Sequence, residues 1–459
     1  MHTPIHDFIT EYVNSEVVRL HMPGHKGKPL LGCEERDITE ISGADALYEA
    51  SGIIGESEAN ATALFCTAKT LYSTEGSTQC IKAMLELARR WWQAEKQPAT
   101  GSATRPVIVA ARNVHKAFLY AVIALDLDVV WLMPEEENPS LCSCTVTSET
   151  LEKVLKEQGN KVAAVYLTSP NYLGGVADVS AMARVCHEHN TLLLADNAHG
   201  AYLHFLERSV HPMDLGADIC CDSAHKTLPV LTGGAYLHIS KNAPKELVSW
   251  AKGAMELFGS TSPSYLILQS LDLCNRYLAD GYRERLAGAC EMIAACKKHL
   301  QKSGWQVEET DPLRITVKAP SGLSGTDLAL QIRKCQIECE FADEDYLVLM
   351  ATPENSVRDF DRLISAFGEN KRLYESRKTT DEIPLATAAK QAMSMREAYF
   401  SEGETIHVHV AAERICRMPM ATCPPAIPVV VPGEIIDEAA IESFLYYGIE
   451  TVEVVKWQK

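Results

Sequence analysis

The chain has 459 residues, 46% of them hydrophobic and 23% charged, which is ordinary for a soluble globular protein and long enough for two or three domains with substantial cores. A formal net charge of −18 argues against a nucleic-acid-binding surface and favours a cationic ligand such as a basic amino acid or polyamine. The 15 cysteines lack paired zinc-knuckle spacing, the start lacks the basic-then-apolar order of a signal peptide, and no apolar run reaches membrane-spanning length; these features predict reduced thiols, no metal centre, no membrane association and a cytoplasmic location.

Residues 1–40 read as an arm. Phe8, Tyr12 and Val13 predict a short amphipathic helix, and Arg19-Leu20-His21-Met22-Pro23-Gly24-His25-Lys26-Gly27 is too broken to continue it. His21 and His25 are four apart, but Pro23 and Gly24 forbid the helix that a metal pair would need. A cationic loop that docks near an anion or a partner subunit competes there with a plain surface turn.

Residues 41–270 read as a large α/β domain. A helix-like run at 58–68 precedes Thr74-Glu75-Gly76-Ser77-Thr78, and Ile81, Met84, Leu85, Ala88 and Trp92 then recur with helical period. Gly76, Ser77 and Thr78 at a helix start suit a phosphate cradle, where backbone N–H groups, the helix dipole and hydroxyls face one anion; an ordinary cap is the competing reading. Strand-like runs at 107–110, 129–132, 162–167 and 192–195 alternate with helical patterns at 117–125, 148–157 and 179–189. That order predicts a mostly parallel sheet with helices on its faces, and ligands then gather beyond the carboxyl ends of the strands. The polar residues follow the strands there: Asn113, His115 and Lys116, then Ser169-Pro170-Asn171-Tyr172, then Asp196-Asn197-Ala198-His199-Gly200. His115 and His199 are each candidates to meet a planar ring, with solvated or capping roles as alternatives. His187 and His189 belong to a helix end, where they favour the dipole.

Ser223-Ala224-His225-Lys226-Thr227-Leu228-Pro229 follows the apolar run Ile219-Cys220-Cys221. A lysine in such a loop, beside a histidine and hydroxyls, suits imine formation with an aldehyde, and pyridoxal phosphate is the candidate aldehyde. Alone, Lys226 would read as a surface charge. Asp196, at the end of Leu192-Leu193-Leu194-Ala195, changes that reading, because a carboxylate there can keep a pyridine nitrogen protonated.

Residues 266–300, interrupted near Gly281, read as long helices leading into a small α+β domain at 271–372, with strands at 313–317 and 346–350 flanking a helix at 326–335. Residues 373–459 form a last unit. It begins in a polar linker, spanning 371–405, and carries Cys423-Pro424-Pro425-Ala426-Ile427-Pro428 and Pro432-Gly433-Glu434.

These motifs, with Pro23-Gly24-His25-Lys26-Gly27, Ser73 to Thr78, Arg112-Asn113-Val114-His115-Lys116, Thr168-Ser169-Pro170 and Thr261-Ser262-Pro263-Ser264-Tyr265, resemble the fold-type-I pyridoxal-phosphate decarboxylases of ornithine, lysine and arginine. In length the chain is similar to the short bacterial forms without an N-terminal wing domain. The resemblance implies an aspartate-aminotransferase-like α/β fold, with a mostly parallel sheet, helices on both faces and smaller α+β C-terminal domains. It implies decarboxylation of lysine, arginine or ornithine to cadaverine, agmatine or putrescine. Lys226 is then the imine-forming lysine, Asp196 the partner of the ring nitrogen, His115 the stacked residue and His225 a proton donor. Gly76, Ser77, Thr78 and Ser223 are phosphate contacts, and Ala198 and His199 line the cofactor. Glu340 and Asp343 lie near the substrate entrance, facing the distal cation or forming a solvated acidic turn. A homodimer or higher homo-oligomer with shared active sites is expected, with residues 261–265 and the arm reaching a neighbour. Asn197, Asn171, Gly233, Ala426 and the segment 350–355 depart from the family pattern and leave substrate choice and activity level open. Two alternatives stand beside decarboxylation: another fold-type-I reaction, aminotransferase or lyase, which uses the same lysine and aspartate, and a non-catalytic pyridoxal-phosphate-binding protein.

Overall fold

The computed structural model describes residues 1–97, 105–135, 140–320, 322–370, 389–420 and 426–456. The chain forms two compact units, the first from Met1–Val107, Glu152–Ser169 and Val179–Arg283, the second from Ile108–Leu151, Pro170–Asp178 and Glu284–Lys459.

In the first unit five strands lie side by side in the order Lys69–Ser73, Ala235–Ile239, Ile219–Asp222, Leu192–Asp196, Val162–Thr168. The last three run parallel, while Ala235–Ile239 is antiparallel to both its neighbours. Almost every side chain in these strands is buried, which is why the sequence reads as continuous apolar runs rather than alternation. Thr168 pairs with Asp196, and Asp196 with Cys221, so the carboxyl ends of the parallel strands are level. The helix Gly76–Glu95 packs on this sheet and against Lys245–Glu256, burying the predicted stripe of Ile81, Met84, Leu85, Ala88 and Trp92 together with Trp91.

Three local expectations are corrected. The helix predicted at 58–68 runs Ile53–Leu64, because the Asp45 carboxylate accepts from Gly52 N at 2.8 Å and Ile54 N at 3.0 Å and so caps the chain earlier. The arm helix Pro4–Asn14 buries Pro4, Ile5 and Ile9 instead of Phe8, Tyr12 and Val13. Its rotation is set by Asp272, whose Oδ2 accepts from Ile5 N and His6 N, each at 3.0 Å. Lys226 sits in a single helical turn, Ala224–Thr227, rather than in an open loop.

In the second unit Val107–Ala111 and Asp128–Leu132 are neighbouring strands. An antiparallel sheet follows in the order Phe341–Ala342, Tyr346–Met350, Arg314–Lys318, Gln306–Val307, with the helix Gly325–Lys334 packed on it. This is the α+β layer read from the sequence. Gly403–His407 pairs with Thr451–Val455 over a core that includes Val408, Cys416, Phe444, Val452 and Val454. Within the expected linker, Met395–Phe400 is a helix started by a Ser394–Glu397 capping box. Residues 371–388, and Pro424 and Pro425, lie outside the described residues. Every cysteine among the described residues is free, and none of their helices is long and apolar enough to cross a membrane.

Asp272 makes the arm testable. Burial pushes its carboxyl up to about 6 against the opposing hydrogen bonds. Between the unfolded value near 4 and about 6 the folded chain holds the extra proton, so this contribution to stability falls as pH rises through that window. Asp272→Asn should flatten that slope, and Asp272→Ala should cost about 1–3 kcal/mol in urea unfolding and speed proteolysis of residues 1–40.

Candidate active site

The level strand ends bring several of the predicted polar residues together in the first unit. Beyond them the backbone ladder continues for one more step, with Ser169 N donating to Asp196 O at 3.0 Å and Asn197 N to Cys221 O at 3.0 Å. Asp196 is 2% exposed. Its Oδ2 accepts from the Tyr166 hydroxyl at 2.9 Å, and its Oδ1 from Ala198 N at 3.2 Å and, more weakly, from Cys221 Sγ at 3.6 Å. Burial, then the Asp196 charge, pushes the Tyr166 hydroxyl well above its usual range, so Tyr166 keeps its proton and donates. Sequence reading missed Tyr166. The signal was a tyrosine inside an apolar central strand, whose hydroxyl must find a partner when buried.

Lys226 Nζ lies 2.9 Å from His199 Nε2. The loop that begins with the buried acid therefore also touches the amine. His225 donates from Nδ1 to Gly234 O at 3.0 Å, which fixes its tautomer and points its other nitrogen away from that carbonyl. Ser223 Oγ donates to Ser77 Oγ at 2.8 Å, bringing two predicted phosphate contacts together. The helix Gly76–Glu95 begins here without a side-chain cap, against the ordinary-cap reading, and the N–H groups of Ser77 and Thr78 have no carbonyl partner in their own helix. Thr227 Oγ1 is buried nearby in the lysine turn with no hydrogen-bond partner among the described residues. N–H donors at a helix start, two hydroxyls, an amine and a buried acid form a donor set that fits a phosphorylated aldehyde with a basic ring nitrogen.

Gly233 is explained by backbone geometry. Its φ is +99°, its carbonyl accepts from Gly76 N at 2.7 Å, and a Cβ there would come within 2.9 Å of Thr74 O. The cradle needs that close approach.

Behind both loops lies a buried hub. Asp222 and Asn197 are each 0% exposed. Asp222 Oδ1 accepts from Asn197 Nδ2 at 2.7 Å, and Oδ2 meets His211 Nε2 at 3.0 Å and His238 Nε2 at 3.1 Å. Burial raises the Asp222 carboxyl, but the two histidines outweigh it and hold the group far below the usual carboxylate range. His211, Cys220 and Asp222 also stand within 4.8 Å of one another, as metal ligands do. Met213 N, however, donates to His211 Nδ1 at 3.2 Å, which leaves the proton on Nε2, where a metal would need a bare nitrogen. The cluster is a hydrogen-bonded brace.

The remaining predicted residues lie in the second unit. His115 caps the helix Lys116–Leu125, its Nδ1 accepting from Ala117 N at 3.1 Å. Glu340 accepts from the Tyr172 hydroxyl at 2.9 Å. Asp343 Oδ1 accepts from Asp345 N at 2.9 Å and Tyr346 N at 2.7 Å, whereas its buried Oδ2 has no partner among the described residues. His187, read as a dipole partner, instead meets Asp218 at 3.2 Å in the first unit.

Known proteins are similar to this chain along most of its length. The family model for "Orn/Lys/Arg decarboxylase, major domain" matches residues 3–351, and that for its C-terminal domain matches 375–452. The chain is 26% identical to the arginine decarboxylase of Bacillus subtilis over 98% of this chain and 94% of that one. It superposes on the constitutive lysine decarboxylase of E. coli with a TM-score of 0.78 at 17% identity, covering 99% of this chain and 82% of that one. A structure of SPT with PLP as an internal aldimine shares the fold at a TM-score of 0.54 and 14% identity, covering 70% of this chain and 76% of that one.

The hub and the Tyr166 bond predict different costs. Asp222→Ala leaves two histidines and an amide unanswered in a dry core and should cost on the order of 3–5 kcal/mol in urea unfolding. Tyr166→Phe removes a single donor and should cost about 1–3 kcal/mol, since Asp196 keeps its other partners.

Proposed function

The chain belongs to the Orn/Lys/Arg decarboxylase family, which makes it a decarboxylase of basic amino acids, and we propose that it acts through pyridoxal phosphate held at Lys226. The observation that carries this reading is the meeting of Lys226 with His199, on the loop that opens with the buried Asp196. When bound, the cofactor supplies an aldehyde that condenses with amines and an electron-poor ring that draws electrons from the carbon losing carbon dioxide.

The chain's own residues do the rest. The N–H groups of Ser77 and Thr78, with the hydroxyls of Ser77, Thr78 and Ser223, bind the phosphate, and Gly76 allows the turn. Asp196, buried and oriented by Tyr166 and Ala198, holds a proton on the ring nitrogen. His199 Nε2 exchanges a proton with Lys226 Nζ, so the amine is neutral when it must attack and protonated when it must donate. His225 stands beside the lysine as a second donor, and His115 offers its ring face for stacking. Glu340 and Asp343 supply negative charge for the distal ammonium or guanidinium group of lysine, arginine or ornithine. Assembly with a second copy is supported by the arm, where Leu20, Leu30 and Leu31 are 86–90% exposed.

Purified chain loaded with pyridoxal phosphate should release carbon dioxide and the matching amine from at least one of the three substrates. Lys226→Ala should lower kcat by several orders of magnitude without lowering the unfolding midpoint by more than a degree or two. Amine-free turnover, or wild-type rates in Lys226→Ala, would overturn the proposal.

Asp343 gives the pH dependence. Burial pushes its carboxyl up to about 7 against its backbone hydrogen bonds, and a cationic substrate binds the ionised form. KM should therefore fall as pH rises through about 7, and Asp343→Asn should raise KM and remove that dependence.

A further inference from the structure

Two motifs far apart in the chain meet inside the second unit. Arg112 and Glu434 are 322 positions apart, yet Arg112 Nη2 donates to Glu434 Oε2 at 3.1 Å. They are 4% and 1% exposed. Burial pushes the Glu434 carboxyl up, opposed by the Arg112 charge. Burying two ions is costly and is repaid only in a well-fixed geometry, so what this pair fixes is informative.

The Glu434 side is rigid. Glu434 Oε2 also accepts from Val431 N at 2.8 Å, and Cys416 N donates to Glu434 O at 2.8 Å. Gly433 has φ +89°, and a Cβ there would lie 2.3 Å from Met393 O. The Arg112 side is the start of the turn that carries His115. Arg112 N donates to Leu132 O at 3.1 Å, its Nη2 donates also to Val429 O at 3.0 Å, and its guanidinium carbon lies 4.9 Å from the Trp131 ring centroid. On the far side of His115, Lys116 N donates to Ala426 O at 2.9 Å. That N–H belongs to the first turn of the helix Lys116–Leu125 and has no carbonyl in its own helix. His115 thus stands between two anchors, at Arg112 and Lys116, and both are held by the segment from Ala426 to Glu434.

We propose that Glu434 and Arg112 are positioning residues for His115: the C-terminal segment clamps both ends of the histidine turn and so sets where its imidazole stands. The consequence for cofactor binding rests on the reading of His115 as the ring-stacking residue. The clamp itself does not.

The test uses the full chain with and without pyridoxal phosphate, in Glu434→Gln, in the conservative Glu434→Asp, and in the double variant Arg112→Met/Glu434→Leu. The double variant removes both buried charges together and so keeps the fold where the single variant strains it. Amide hydrogen exchange at Lys116 and Ala117 in the cofactor-free chain should accelerate at least tenfold in Glu434→Gln and in the double variant, with partial rescue by Glu434→Asp. Affinity for pyridoxal phosphate should fall about tenfold and the circular dichroism of the bound cofactor should change, while the unfolding midpoint of the double variant stays near wild type. If the double variant keeps both wild-type exchange at those amides and wild-type cofactor dichroism, or if Glu434→Gln lowers only the unfolding midpoint, the positioning role is wrong. If the wild-type chain takes up no pyridoxal phosphate, the proposed function fails, and the exchange measurement still decides the clamp.

Discussion

The hydrogen bond from Asn197 Nδ2 to Asp222 Oδ1, 2.7 Å long between two fully buried side chains, joins the two strand ends on which the site depends. Asn197 directly follows Asp196, and Asp222 directly precedes the Ser223 to Thr227 turn. A shift of either loop would have to break a charge-assisted bond in a dry interior, where an unanswered carboxylate is expensive. His211 and His238 saturate the other oxygen, so the hub has little freedom to re-form elsewhere. The relative placement of the buried acid and the amine is thereby set by residues that need touch no substrate.

Much of this was legible in the sequence because the strands are buried on both faces. Runs such as Leu192 to Ala195 allow only one reading, and their spacing with the intervening helices forces a parallel order in which polar residues collect at one edge. Asp196 and Lys226 were singled out by that logic, Ser77 by its place at a helix start and Ser223 by the family resemblance, and the structure brings Ser77 against Ser223 and the Asp196 loop against Lys226. Tyr166, Asp222, His211 and His238 were not found. They lie within or behind strands, and their roles arise from cross-strand register that no local pattern encodes. The arm helix was read with the wrong face because its rotation is set by Asp272, more than two hundred residues away.

The departures from the family pattern become intelligible as geometry. Gly233 is the one residue type that lets the backbone close on Gly76 and Thr74. Asn197 is an amide donor matched to the carboxylate of Asp222, where a second carboxylate would bring like charges together. Asn171 closes a local turn, its Oδ1 accepting from Gly175 N at 2.9 Å, and its carbonyl accepts from Arg314. None of the three removes a group from the proposed cofactor contacts, so each is compatible with family chemistry while altering what surrounds it.

The two buried charge clusters differ in a way that bears on motion. Every oxygen of Asp222 is answered, by an amide and two imidazoles, and a saturated network of this kind resists rearrangement because any new state must first give up a bond. The Arg112 and Glu434 pair is joined by one bond, with Arg112 Nε and Nη1 and Glu434 Oε1 lacking hydrogen-bond partners among the described residues. It is held from the backbone as well, Val429 O accepting from Arg112 Nη2 at 3.0 Å and Val431 N donating to Glu434 Oε2 at 2.8 Å. Each unit therefore carries its own brace, one beside the lysine and the acid and one beside the His115 turn.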